Sequence, residues 1–91
     1  MKATSVRYVS GYVLHIIFDD GVEGEIDLHD LVKKGVFQSL QDTALFAGAY
    51  LTDHSLAWSE ELEIDIYQIY HQISGRPLKE IMSGMNAYTS N

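Results

Sequence analysis

Residues 12–34, YVLHIIFDDGVEGEIDLHDLVKK, constrain the fold more than any other stretch of the chain. Val13, Ile16, Ile17 and Phe18 belong to a short run rich in β-branched and aromatic side chains. The run ends too soon for an ordinary globular helix, so it predicts a strand. Asp20-Gly21 follows. Glycine reaches positive φ without a Cβ clash and aspartate tolerates the left-handed region, so the pair predicts a hairpin with a type I′ turn. Beyond it, Val22, Gly24 and Ile26 alternate with Glu23, Glu25 and Asp27, which predicts a second strand with one wet face. Asp27 stands where an N-cap belongs, ahead of a short helix that starts at Leu28. Lys33 and Lys34 close that helix, and Gly35 is its stop.

The flanking sequence supplies cover for this unit. Val6 and Tyr8 alternate in a first strand that turns at Ser10-Gly11, giving a three-stranded antiparallel meander. Phe37, Leu40 and Phe46 are spaced to enter the core from a compact connection ended by Gly48. Residues 49–53 and 56–58 predict a second hairpin around Asp53, His54 and Ser55. From Glu63 the period lengthens: Ile66, Ile69, Tyr70 and Ile73 recur at helical spacing, widened by Ile64 and Tyr67. Asp65 is the expected N-cap and Gly75 the stop. The expected fold class is α+β, a curved antiparallel sheet of meander plus second hairpin, with short helices and a C-terminal helix. Residues 1–75 form one domain. Residues 76–91 are an extension in which Pro77 opens a short helix with Leu78, Ile81 and Met82 on one side, before a frayed tail.

Charge and cysteine usage exclude several functions. A chain of 91 residues holds one core, and its net charge of −7 leaves few basic groups to neutralise phosphates, so direct nucleic-acid binding is not expected. No cysteine is present, which removes disulfides, thiolate metal sites and a cysteine nucleophile. No apolar run approaches a membrane span or a signal-peptide core, and the expected location is cytoplasmic.

Several short motifs coincide with a known family. Phe18, the acidic Gly21 turn, Gly24, Asp27-Leu28, Gly35-Val36-Phe37, Leu40, Asp42, Phe46 and Leu56-Ala57-Trp58, in that order, resemble the small bacterial family called domain of unknown function 2442. The resemblance covers roughly residues 4–70. Residues 60–66 depart from it, lacking the family's common Asp-x-x-Pro before the closing helix. It implies an α+β domain with a curved antiparallel sheet and no established activity. Some members carry a helix-turn-helix domain after this module. Others look like one half of a two-gene pair with a small protein of domain of unknown function 4160, an arrangement that implies a toxin–antitoxin system.

Catalytic and metal-binding patterns are weak. His15, His29, His54 and His71 do not sit at i, i+3 or i+4 from one another, and no EF-hand, serine elbow or phosphate loop is present. No cofactor or metal is expected. The leading expectation is a non-enzymatic protein-interaction module, an antitoxin-like partner of a small basic protein. Its candidate contact residues are Trp58 and Tyr67, with Leu78, Ile81 and Met82 on the extension, where a homodimer contact is also a candidate. Two alternatives stand beside it. One is a small metal-dependent or hydrolytic enzyme using Glu60, Glu61, Glu63 and Asp65; the other is a regulatory sensor domain.

Overall fold

A computed structural model describes residues 1–75. Strands β1 (Ala3–Ser10), β2 (Val13–Phe18) and β3 (Glu23–Asp27) pair antiparallel in that order, as the alternation predicts. Leu14, Ile16 and Phe18 of β2 and Ile26 of β3 are buried, while Glu23, Glu25 and Asp27 face solvent. A connection of 3-10 turns at Leu31–Lys33 and Gly35–Gln41 leads into helix α1 (Thr43–Phe46). Strands β4 (Tyr50–Leu51), β5 (Ser55–Ser59) and β6 (Leu62–Asp65) then form a second antiparallel sheet, and helix α2 (Ile66–Ser74) closes the described chain. The fold class is α+β.

Aromatic rings join the two sheets. Phe46, fully buried, makes an edge contact with Tyr12 at 5.5 Å and a tilted one with Trp58 at 5.6 Å, centroid to centroid. Tyr12 precedes β2 and Trp58 lies on β5, so one ring from α1 binds both layers. Phe37 completes this cluster against Trp58 at 6.3 Å. At the other end, Phe18 meets Tyr70 of α2 edge-on at 4.8 Å. Leu40, Ile66 and Ile69 are also in the core.

Three local expectations are corrected. The β2–β3 turn is not type I′, because only glycines have positive φ among the described residues and Asp20 is therefore not left-handed. The Phe18 amide donates to the Val22 carbonyl at 2.8 Å, and the Gly21 amide to the Phe18 carbonyl at 3.2 Å. With Gly21 at φ 92°, this is a three-residue loop whose glycine takes the bulge position. The Asp20 carboxylate accepts from the Val22 amide at 3.0 Å and from the Tyr70 hydroxyl at 2.5 Å, a pair of contacts that fixes the turn to α2.

Asp27 ends β3 instead of capping a helix. Its carboxylate accepts from the His29 amide at 2.9 Å, and the helical turn is a 3-10 turn confined to Leu31–Lys33. The Leu28 amide is tied to the Tyr12 carbonyl at 2.8 Å, so the backbone leaves the sheet one residue too late for an α-helix to start at Leu28.

The third correction concerns the helical period expected from Glu63: after a turn at Glu60-Glu61, Glu63 and Ile64 lie on β6, paired with β5 through Leu56–Ile64 and Ala57–Glu63. Ile64 therefore belongs to a strand and not to the helical stripe. Asp65 caps α2 as expected, accepting from the Tyr67 amide at 2.8 Å, and Gly75 ends it at φ 76°. The 76–91 extension, with Leu78, Ile81 and Met82 and the homodimer contact assigned to them, lies outside the described residues.

Candidate functional site

Between the exit of β3, strand β6 and helix α2, a groove of about 490 Å³ opens. One wall is the exit of β3: Asp27, Leu28, Asp30 and Leu31, with Lys34 beyond. The Asx hydrogen bond donated by the His29 amide to the Asp27 carboxylate turns the chain there, and Asp30 stands at the rim. The opposite wall is β6, which contributes the consecutive residues Glu63, Ile64 and Asp65. Helix α2 adds Gln68, Ile69 and Gln72, which with Asp65 fall at i, i+3, i+4 and i+7 and so lie on one helix face.

The groove has an apolar floor and an acidic rim. Leu28 and Ile69 are buried, and Leu31 and Ile64 are half-buried. Asp27, Asp30, Glu63 and Asp65 are exposed, so four carboxylates stand against the single ammonium of Lys34. Like charges held around a concave, partly apolar surface focus a negative potential into it. The arrangement suits a cationic group with an aliphatic stem, such as lysine or arginine, better than a neutral or anionic ligand.

The four residues of the proposed carboxylate cluster separate. Glu60 and Glu61 sit at the β5–β6 turn, where the Glu61 amide donates to the Ser59 hydroxyl at 3.3 Å, and neither lines the groove. Glu63 and Asp65 do line it. One oxygen of Asp65 and one of Asp27 are already engaged by the amides of their own turns. Among the described residues, no three histidine or carboxylate side chains are grouped so as to hold a metal ion. His15 is paired with Glu23 across the first sheet at 2.9 Å.

The candidate contact aromatics lie elsewhere. Trp58 is half-buried and its indole N–H donates to the Phe46 carbonyl at 2.8 Å, while Tyr67 is half-buried against the core. Neither lines the groove. Of the motif residues, Phe18 and Phe46 are core, Phe37 packs on Trp58, and Gly21 supplies the left-handed turn. Gly24 lies directly under Ile73 of α2. Asp27 is the motif residue that reaches the groove.

Sequence reasoning missed Asp30, Lys34, Gln68 and Gln72. The helical spacing of Asp65, Gln68 and Gln72 does mark a polar edge beside the isoleucine stripe. Nothing local tells that this edge faces the end of β3. It also missed Val36, Leu45 and Tyr50, which are exposed at 68%, 54% and 43% although apolar or aromatic.

Two open three-stranded sheets, joined through a short helical connection and closed by a helix, define a small α+β domain. The chain belongs to the family described as "Protein of unknown function (DUF2442)", whose match runs over residues 3–75. It continues through residues 60–66 and stops at the C-cap of α2. Comparison with curated proteins and with solved structures gives no match. No helix among the described residues is long and apolar enough to cross a membrane.

Proposed function

We propose that this chain is a non-enzymatic protein-interaction module whose acidic groove receives a small basic protein. The observation that carries the reading is the set of four exposed carboxylates, Asp27, Asp30, Glu63 and Asp65, around an apolar floor. An interface of this kind gains affinity from burying the floor, and gains speed and selectivity from its charge. The carboxylates serve a binding role better than a catalytic one. Asp27 and Asp65 already hold backbone amides of their own turns, and Glu60 and Glu61 stand off the groove. The two-gene pairs implied by the family resemblance support an antitoxin-like arrangement, with this chain as the acidic member.

The test is co-expression with the product of a neighbouring gene that encodes a small basic protein, followed by titration of the purified pair at two ionic strengths. A complex is expected whose affinity falls as salt rises and is lost when Asp27→Lys and Glu63→Lys are combined in a still-folded variant. An affinity indifferent to both salt and charge reversal would remove the groove from the interaction.

A further inference from the structure

We infer that the partner enters this groove as a short extended segment and adds a strand to the free edge of β6. The inference rests on the reading of the groove as a protein-binding site, and specifies the form the partner takes there. Successive side chains of a strand point to opposite faces of its sheet. A cavity bordered by one face of a strand therefore touches alternate residues. This groove instead touches Glu63, Ile64 and Asp65 in succession, so it runs along the edge of β6 and not over a face. That edge is open to pairing. Among the described residues β6 ends its sheet, with β5 as its one neighbour, and so presents a row of backbone N–H and C=O groups outward.

The other edges are less suited. β1 carries register shifts between Ala3 and Ser5 and between Tyr8 and Ser10, irregularities that interrupt pairing. β4 is two residues long. β3 packs one face against α2, with Gly24 directly beneath Ile73, and borders the groove only at its last residue, Asp27. The β5–β6 pair has one shift, between Ala57 and Ser59, but its extra residue lies on β5, so β6 itself is unbulged and residues 63–65 keep register with residues 55–57, whereas both extra residues of the β1–β2 pair lie on β1.

Charge selects the incoming strand. Acidic residues on an exposed edge prevent two copies of the same edge from pairing, because the carboxylates would oppose one another. Glu63 and Asp65 guard β6 in this way, and the same guard favours a strand bearing lysine or arginine. On an added strand, alternate side chains would lie over Leu31 and Ile64 while the intervening ones meet Asp30 and Glu63. The recognised motif is thus a short alternation of basic and apolar residues, held by main-chain hydrogen bonds.

The experiment uses the ¹⁵N-labelled full chain and an acetylated, amidated peptide of alternating lysine and valine. Two further versions are N-methylated, one on the lysine amides and the other on the valine amides. In an added strand, one set of amides faces β6 and the other faces away, so the two isomers should differ. One isomer is expected to bind at least about tenfold more weakly than the unmethylated peptide, the other within about threefold. The amides of Glu63, Ile64 and Asp65 should shift, and those of Glu63 and Asp65, which point away from β5, should exchange more slowly in the complex while that of Ile64, already directed at β5, should not. Equal affinity of the two isomers overturns strand addition, as does a failure of the unmethylated peptide to perturb those amides. In either case, partner binding that remains sensitive to Glu63→Lys preserves the groove reading, and insensitivity removes both.

Discussion

Gly24 offers a direct test of how α2 is seated. A Cβ placed on Gly24 would lie 2.9 Å from Cγ2 of Ile73, inside normal contact distance. That methyl is attached to a branched Cβ and cannot move aside without rotating a stiff χ1 or lifting the end of α2. Overpacking of this kind costs about 1–3 kcal/mol. Removing a glycine also restricts the unfolded chain, which returns roughly 0.4–1 kcal/mol. The net for Gly24→Ala is a destabilisation of about 1–2 kcal/mol. A domain of this size would lose roughly 4–8 °C of Tm per kcal/mol. Ile73→Ala alone should cost about 1–2 kcal/mol, less than a fully buried truncation, because Ile73 is only partly buried. Together the changes relieve the clash, so the double variant should be more stable than the summed single effects by about 1–2 kcal/mol. Urea denaturation with an unchanged m-value measures all three variants. Additivity within about 0.5 kcal/mol would refute the idea that glycine is needed here to admit Ile73.

Further expectations concern the turn, the indole, the cap and metals. Gly21→Val should destabilise by about 1–3 kcal/mol, because a β-branched residue resists the left-handed conformation; an unmoved urea midpoint would place Gly21 elsewhere in φ. Trp58→Phe strips the Phe46 carbonyl of its indole donor and should cost about 1–2 kcal/mol by the same measurement, whereas a neutral effect would mean water replaces the bond freely. Asp65→Ala should cost about 0.5–2 kcal/mol and reduce helical circular dichroism; unchanged stability would show that the cap contributes nothing to α2. Zinc, manganese or calcium should leave Tm unchanged. A site filled at a hundredfold excess over its Kd would stabilise by about 2.7 kcal/mol, and a chelator-reversible rise of that order would favour the enzyme alternative.

The elements whose signals are local follow from the sequence alone. Two-fold alternation and Gly21 specify the β2–β3 hairpin, and Asp65 and Gly75 bracket α2, because a cap or a positive φ is decided by one residue and its immediate neighbours. Family membership likewise follows from the sequence, over residues 3–75. Details that depend on a distant partner do not follow. Asp20 stays out of the left-handed region in a turn where its carboxylate is held by Tyr70, fifty positions away. Ile64 fits a helical stripe by spacing, yet it lies on β6 because Leu56 is there to pair with it. The groove is the plainest case. Asp27 and Asp30 on one side and Glu63 and Asp65 on the other are ordinary surface acids in the linear chain. They face one floor only because Phe46 binds the two sheets together and the backbone turns at Asp27, so their combined field is a property of tertiary packing.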